Sequence, residues 1–513
     1  MTNVPWLKLW VVMMMPIFVL VVSVQVFQRQ PNILVLGGLF LFSYISSLSM
    51  LRRGRLRVPA QRDKSSDGSD RDGSAEGEVT DSTGNSSDRD ASSAATTPAE
   101  VVARQLKSIG TPTNKALAEL SRDKLRGCFP WTMYYIQDFE YRPQAIICRG
   151  NLRAAPDEAY QCISDNLRDL FGQRFLLVLQ EGFSGKPFFA IVPNPTAAAQ
   201  EALEGDTDTE VDNDRERPNL ALALLVASLF SAMSVGALAS GDITPETLFS
   251  PPTNLLVGLP YALALVLILG AHELGHYVAA RRHNLNMSLP YFIPVPFFLG
   301  TFGAFVRLKE PVPDRKSLFD VSIAGPLAGL AVAFPLLIVG LMQSTVVPFP
   351  DPVSEPTSQL FLESFTFDPS QSILLAILAK LALGSELSAD TVLQFHPIGF
   401  ASWLGLLVIS LNLIPIGQLG GGHIVHAMYG HQMGTNIGKV TRVLVVLLAF
   451  TLQPWLRAWM LVVLLLTSTD EPALNDVTDL DERRDLLGLF TLTVLTVVIL
   501  PLPPPLQILM GLA

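Results

Sequence analysis

The chain has 513 residues, of which 49% are hydrophobic and 16% are charged, and its formal net charge is −10. So many apolar and so few charged residues are typical of a membrane protein with some soluble mass, and they exclude a purely soluble globular protein. The acidic balance argues against nucleic acid as a partner. The three cysteines (Cys128, Cys148 and Cys162) lack close metal-type spacing, which indicates reduced thiols in a reducing compartment.

Two apolar segments, 6–27 and 33–51, begin the chain, and each is long enough to cross a bilayer. They predict an N-terminal transmembrane hairpin over 1–58. Arginines cluster at 52–57, so the positive-inside rule places both ends of the hairpin on the cytoplasmic side. Residues 59–98 are rich in Ser, Asp, Gly and Thr and hold too few apolar residues for a core, which predicts a disordered acidic linker.

Residues 99–200 have the mixed pattern of a small soluble α+β domain of βαββ type, expected on the cytoplasmic side. Proline at the first turn and helical periodicity predict one helix at 156–170. The predicted strands are 144–149, 174–180 and 187–193, the last two joined by a glycine-containing turn. A binding or regulatory module is the expected role. A second acidic linker follows at 201–217.

From 218 to 513 the chain is mostly apolar and reads as a membrane domain. The predicted crossings are 220–239, 255–280, 319–341, 399–413, 440–452, 456–466 and 486–500. With the first hairpin they give a polytopic α-helical membrane protein of about nine crossings. The stretch 284–317 contains prolines and a strand-like run at 300–307. Irregular backbone of this kind must be covered by protein or line a wet cavity.

One motif in the membrane domain carries chemistry: His272-Glu273-x-x-His276, at the end of an apolar run. On a helix the two histidines lie one turn apart on one face, and imidazoles at that spacing can share one Zn²⁺. Glu273 beside them is a candidate general base toward water activated by the metal. In a soluble helix this motif is often only a polar face, but at membrane depth such residues mark a functional site. All seven histidines of the chain lie between His272 and His431.

A second motif, Asn412-Leu-Ile-Pro415, lies near the end of a later apolar segment. With the histidine motif it resembles the site-2 protease family of intramembrane zinc metalloproteases. Gly150-Asn-Leu-Arg153 in the soluble domain is similar to the hallmark of that family's cyanobacterial and chloroplast branch. The resemblance covers most of the chain from about 100 onward. It implies a membrane metalloprotease domain over 218–513, in a plasma or thylakoid membrane.

The resemblance also implies roles for individual residues. Zinc would bind His272 and His276, and Glu273 would act as general base and then as acid to the leaving amine. Asn412 would donate a hydrogen bond to the substrate backbone or the oxyanion. The strand at 300–307 would pair with an unwound substrate helix. The substrates would be membrane-embedded, single-span proteins such as anchored anti-sigma factors, cleaved within the lipid bilayer.

The chain departs from the family where the third zinc ligand is expected. The family has an Asp after Leu419, and here the residue is Gly420, which has no side chain to bind metal. Two replacements are open: His423, three residues further on, or Asp320, near the end of another helix. Both are also ordinary helix-end residues, so a site without a third ligand is the remaining alternative.

Two functions from different classes follow from that departure. The first is an active intramembrane zinc endopeptidase, and the second is a catalytically impaired relative that acts as a membrane scaffold or chaperone. A transporter that uses intramembrane His and Glu would favour inverted repeats, and the sequence shows none.

Overall fold

The computed structural model describes residues 122–142, 145–182, 185–194, 218–240, 243–244, 246–295, 299–348, 366–451, 460, 463–464 and 470–512. The predicted N-terminal hairpin and both acidic linkers lie outside these residues. The predicted crossing at 456–466 lies largely outside them too.

The soluble part is a four-stranded antiparallel sheet with one long helix on one face. Its elements are α1 (Arg122–Cys128), β1 (Tyr134–Arg142), β2 (Ala145–Leu152), α2 (Pro156–Phe171), β3 (Phe175–Glu181) and β4 (Pro187–Pro193). The strand order is β1-β2-β4-β3. The three predicted strands and the predicted helix are present, and α1 and β1 are additions, so the motif is ββαββ rather than βαββ. The three cysteines of this part are free thiols.

Helix α2 shows why the sequence folds locally as predicted. Pro156 occupies its first turn, where its missing N–H costs nothing, and the helix ends before Gly172 at a φ of 64°. Ala159, Ile163 and Leu167 recur every four residues and are buried against the sheet.

The Gly-Asn-Leu-Arg motif lies where β2 meets β1. Packing requires glycine at position 150, because a Cβ there would collide with the carbonyl oxygen of Tyr135 on β1. The guanidinium of Arg153 lies over the rings of Trp131 and Tyr135, at 5.7 and 5.2 Å from their centroids. Packing and ring contacts therefore explain the residue types at the first and last positions of the motif.

The described membrane part consists of nine helices and two small sheets, one of two strands and one of three. The helices are α3 (Pro218–Leu238), α4 (Leu259–Arg282), α5 (Arg315–Met342), α6 (Ile373–Leu383), α7 (Pro397–Asn412), α8 (Gly420–Tyr429), α9 (His431–Thr451), α10 (Glu482–Ile499) and α11 (Pro504–Met510). The strands are β5 (Tyr291–Val295), β6 (Gly300–Phe305), β7 (Thr345–Pro348), β8 (Thr366–Phe367) and β9 (Thr391–Gln394).

Within the described residues, four helices are long and apolar enough to cross a membrane: α3, α4, α5 and α9. The pair α10 and α11, bent by 77°, raises that number to five. The predicted short crossing at 440–452 lies almost wholly within α9, which is long enough to cross a membrane and begins earlier, at His431. The predicted total of about nine crossings, which includes segments outside the described residues, stays a prediction.

The small residues of the run Ala324-Gly-Pro-Leu-Ala-Gly329 on α5 let α4 and α5 approach closely. A Cβ on Gly275 of α4 would collide with the backbone carbonyl of Ala324 on α5. A Cβ on Gly329 would lie 3.2 Å from the Cβ of His272. The same contact that packs the helices therefore sets the position of the histidine motif.

The stretch between α4 and α5 is a two-stranded antiparallel hairpin of β5 and β6. The predicted strand character of 300–307 is confirmed for Gly300–Phe305. Its partner β5 was not predicted, because the prolines of this stretch argue against regular structure. Pro294 fits because the strand pairing is irregular between Phe292 and Pro294.

A segment that we call the bridging segment, residues 470–476, connects the soluble and membrane parts. Leu179 on edge strand β3 donates its N–H to the carbonyl of Leu474 at 2.6 Å and accepts from the N–H of Asp476 at 2.9 Å. On its other side, Leu474 and Asn475 donate to the chain just before α5, each at 2.9 Å. The bridging segment thus forms isolated parallel bridges from Asn475 to Leu179 and to Asp314, and α10 begins at Glu482.

Candidate metal centre

The two histidines of the motif converge on one point. His272 and His276 lie one turn apart on α4, and their Nε2 atoms are 3.2 Å apart. Two nitrogens on a tetrahedral zinc, each about 2.0–2.1 Å from the metal, lie about 3.3 Å apart. The pair therefore has the spacing of two corners of a tetrahedral zinc site.

Helix α5 orients His276. Its Nδ1 lies 2.7 Å from the carbonyl oxygen of Val321, which can only accept, so Nδ1 carries the proton and Nε2 keeps its lone pair. The ring occupies the space that a Cβ on Gly325 would fill. A carbonyl that fixes the tautomer and a glycine that makes room are the usual supports of a metal-binding imidazole.

His272 is buried, and Asn412 is its partner from α7. The Nε2 of His272 lies 3.2 Å from the Nδ2 of Asn412. The Oδ1 of Asn412 accepts a hydrogen bond from the N–H of Gly420 at 3.2 Å, so the amide group turns its Nδ2 toward the histidines. Asn412 thus links the end of α7 and the start of α8 to the pair.

Glu273 is the other member of the motif and is 7% exposed. It lines the same cavity as both histidines and Asn412. No ion pair holds its carboxyl group in the part of the chain that the structure describes. The carboxyl group is available to a ligand that enters the cavity.

Gly420 begins α8 next to Asn412. The three atoms nearest to a Cβ built there all belong to Asn412, at 3.3 to 3.6 Å, so a side chain there meets no backbone collision. At Gly421 and Gly422 a Cβ would collide with the carbonyl oxygens of Leu413 and Gly417. Close backbone packing explains the second and third glycines of the run, and nothing in the structure explains the first.

His423, the predicted third ligand, lies one turn after Gly420 and lines the same cavity. Its Nδ1 is 2.8 Å from Oδ2 of Asp470 in the bridging segment. Burial opposes its charged form, but the Asp470 carboxylate outweighs that effect and raises the pKa of His423. Among the described residues, no three His, Cys, Asp or Glu side chains are grouped closely enough to hold a metal ion. His272 and His276 are two ligands that suit zinc. His423 lines the same cavity but is not grouped with them.

Comparisons with known proteins place this geometry in a family. The sequence profile of peptidase family M50 matches residues 260–452, which contain both the histidine motif and Asn412. This region is therefore a peptidase family M50 domain, the domain of the site-2 proteases. A second profile, the EGY3 middle domain, matches residues 123–200, the soluble part. The predicted resemblance is confirmed, and the protein is a membrane protein of a membrane-embedded family.

Several plant proteins are similar to the chain over most of its length. "Probable zinc metalloprotease EGY2, chloroplastic" of Oryza sativa subsp. indica is 30% identical over 337 residues, which are 64% of this chain and 55% of that protein. The Arabidopsis thaliana protein of the same name is 30% identical over 384 residues, 74% of this chain and 65% of the relative. "Probable zinc metalloprotease EGY1, chloroplastic" of Arabidopsis thaliana is 29% identical over 403 residues, 75% and 71% of the two chains. The chain thus spans little more than half the length of the rice relative.

The M50 domain contains a second group of histidines that sequence reasoning did not assign. His426 on α8 is 1% exposed and lies between two carboxylates, 2.7 Å from Asp470 and 2.8 Å from Asp476. Burial opposes its charged form, but Asp476 and Asp470 raise the pKa of His426 to about 9. His426 therefore anchors the bridging segment to α8. The clustering of all seven histidines was the only sequence signal for this group.

Asp320, the alternative third ligand, is bound elsewhere. Its two carboxylate oxygens accept hydrogen bonds from Arg484 at 2.7 Å each, and Oδ2 is also 3.0 Å from Nε2 of His283. It does not line the cavity that holds the histidine pair. Asp320 ties α5 to α10 and the end of α4, so the structure does not bring it to the site.

The cavity at the centre has a volume of about 1110 Å³. It is lined by the histidine motif and Asn412 and also by Leu176 and Val192 of the soluble sheet. Typical small-molecule sites are about 300–1,000 Å³, so this M50 cavity has the capacity for a larger ligand such as a peptide segment.

Proposed function

We propose that this protein is an intramembrane zinc endopeptidase that cleaves the membrane-spanning segments of anchored proteins. The observation that carries the proposal is the 3.2 Å approach of the Nε2 atoms of His272 and His276, with Glu273 beside them in an apolar helix. The names of the relatives, zinc metalloproteases, support the same chemistry.

Each residue of the site has a role in this reaction. His272 and His276 bind zinc, which when bound supplies a Lewis acid and makes water ionise near neutral pH. The carboxylate of Glu273 takes the proton of the attacking water and gives it to the leaving amine. Asn412 donates from Nδ2 to the carbonyl oxygen of the scissile bond, where negative charge develops.

The cavity wall supplies a way to hold the substrate in a cleavable form. Gly303, Ala304 and Phe305 of β6 line the cavity, so an unwound substrate segment can add to this strand. A peptide bond inside a helix has its carbonyl engaged and is shielded, so local unwinding must come before attack.

We assign the third ligand position to His423. Asp470 accepts from its Nδ1, so Nε2 is the ring nitrogen left to bind the metal, and His423 lines the cavity. The same carboxylate–histidine arrangement supports many zinc ligands. Because His423 is not grouped with the pair in the described residues, this assignment requires a small movement of α8 when zinc binds.

Location and partners follow from the same proposal. The protein is a multi-pass membrane protein whose soluble domain, 99–200, lies on the cytoplasmic side or its organellar equivalent. Of the plasma and thylakoid membranes, the chloroplast names of the relatives favour the thylakoid. Its partners are membrane-embedded substrate proteins and bilayer lipid, without nucleic acid. We propose the same limits as in the sequence analysis for the N-terminal hairpin, the two acidic linkers and the membrane domain that begins at 218.

A second function is favoured by one observation, the missing side chain at Gly420. A family member with a poorly bound metal would retain the fold and the cavity and act as a scaffold or chaperone for membrane proteins. Binding of a spanning segment without cleavage is the behaviour that separates it from the enzyme.

The test is the variant Glu273→Gln in reconstituted full-length protein. The probe is a labelled single-span peptide of about 20 apolar residues with a central Gly-Pro pair that loosens its helix. We expect zinc content to be kept and cleavage to fall by at least about 100-fold, because the proton acceptor is lost. The control, Glu246→Gln, changes an exposed loop residue outside the cavity and should cleave like the parent protein. Binding without cleavage by the parent protein would instead establish the scaffold.

A further inference from the structure

The soluble sheet is apolar on both faces. One face packs Leu177, Leu179 and Ile191 against α2. On the other face the paired residues Leu176 and Val192, and Val178 and Ala190, are apolar as well. An antiparallel sheet that is covered on one side normally shows polar residues on its second, wet side. The second face must therefore cover something.

It packs against Leu474 of the bridging segment and also lines the cavity of the metal centre. Leu176, Val178 and Val192 line the same cavity as His272 and Glu273. We call these three residues the cavity roof. The roof is continuous with the site, since one cavity reaches from the histidine pair to the strands of the soluble sheet.

The roof is fixed in place by bonds on both sides of the bridging segment. Leu179 of β3 is paired with Leu474 and Asp476, and the side chain of Asp476 is held by His426 on α8. A further bond runs from Nε2 of Gln432 on α9 to the carbonyl of Glu181 at the end of β3. The soluble sheet is therefore built into the cavity wall and is not a remote module.

The other residues that line the cavity indicate what fits beneath the roof. They include β6 and the chain that follows it to Val312, which offer backbone and apolar side chains. Charged residues of both signs line the cavity as well: Arg307, Lys309, Glu310 and Glu471. A cavity with both apolar and charged lining suits a peptide with an apolar centre and polar flanks.

We propose that the cavity roof is a substrate-binding surface, which holds an extended apolar stretch of the peptide whose neighbouring bond lies at the histidine pair. Leu176, Val178 and Val192 then determine which side chains are accepted on one side of the cleaved bond and favour large apolar ones. The inference rests on the proposed function, because that function makes a peptide the substrate. The inference adds where that peptide lies in the cavity.

The test is site-specific photocrosslinking in the Glu273→Gln variant of the full chain, with the labelled single-span peptide described above as the probe. A benzophenone side chain is placed at Leu176 in the roof, at Val408 on α7, or at Leu170. Val408 lines the cavity on the membrane side, one turn from Asn412. Leu170 on α2 is 55% exposed and lies outside the cavity, so it is the matched control.

Labelling from Leu176 and Val408 but not from Leu170 supports the inference. Labelling from Val408 without Leu176 overturns the inference and leaves the proposed function intact. No labelling from either cavity position overturns both, because the peptide then does not enter the cavity.

A substitution gives an independent reading of the same surface. Leu176→Gln keeps the size of the side chain and removes its apolar character, so peptide affinity should fall about tenfold. Zinc content should stay unchanged, since the Leu176 side chain has no atom that binds metal. Leu170→Gln is the matched control and should bind the peptide like the parent. Equal affinities for the two variants would overturn the proposal.

Discussion

On the α4–α5 side of the metal centre two imidazole nitrogens face each other across 3.2 Å, whereas on the α8 side the histidines are bound to carboxylates. The first arrangement offers lone pairs to a metal, and Val321 and Gly325 support only His276. The second satisfies its polar atoms internally, through Asp470 and Asp476.

The difference shows two uses of histidine within one membrane domain. The α4 pair has the spacing and the orienting contacts of metal ligands, and its chemistry requires a third group from outside. The α8 group joins the bridging segment to the helix and so holds the soluble sheet over the cavity. His423 belongs to both sides, because it lines the cavity and binds Asp470.

The strongest way to break the α4 side is Gly325→Ala. The added Cβ would meet the ring of His276, so the ring must turn away and the pair must separate. We expect most bound zinc to be lost, measured as metal per chain in detergent-purified protein. Gly270→Ala on α4 is the matched control, because a Cβ there meets only the ring of Phe292 at an ordinary 3.8 Å. Full zinc in the Gly325→Ala protein would contradict the role given to this contact.

The substitution Gly420→Asp would place a potential metal ligand of the α8 side next to the histidine pair of α4. The backbone there has room for a side chain, which starts beside Asn412 and so next to His272. A carboxylate at this point would add a further ligand to the two histidines and His423, and we expect zinc to be held about tenfold or more tightly. Zinc competition with a chelator measures the change. Gly420→Asn has nearly the same shape without the charge and should give little gain; an equal gain from both variants would speak against ligation.

The α8 side is tested by the dependence of the free energy of unfolding on pH. This is the smallest effect that we expect. The pKa of His426 is about 9 in the folded protein, above its unfolded value of about 6.5, so its ion pairs stabilise the fold fully below about pH 6.5. That contribution is lost as pH rises through about 9. Asp476→Asn should lower the free energy of unfolding by about 1–3 kcal/mol near neutral pH.

The difference between the Asp476→Asn protein and the parent should shrink above pH 9, as followed by thermal unfolding at a series of pH values. A difference that does not depend on pH would mean that His426 is neutral in the folded protein. The bridging segment would then be held by uncharged hydrogen bonds.

Local pattern was enough to predict the α4 side. An apolar run with His272 and His276 four residues apart specifies one helix face. The small-residue run in α5 is typical of a close contact between two helices. The strands β3 and β4 were also predictable from their β-branched and apolar residues. Strand β1 was missed because its register shifts between Ile136 and Asp138 and it alternates poorly.

The α8 side could not be predicted in the same way. Asp470 and Asp476 lie 44 and 50 residues from His426 in sequence, in a stretch without periodicity. Only the fold brings such residues together, so no local rule identifies them. The space at Gly420 and the collisions at Gly421 and Gly422 are likewise properties of packing, although all three glycines are alike in the sequence.

The most direct test of the metal centre is the zinc content of full-length protein purified in detergent, measured beside His276→Ala and His423→Ala. We expect about one zinc per chain in the parent, loss of zinc in His276→Ala, and weaker retention in His423→Ala. Zinc that is kept in His423→Ala would remove His423 from the ligand set. A parent protein without zinc, or one whose zinc is unaffected by His276→Ala, would contradict the account.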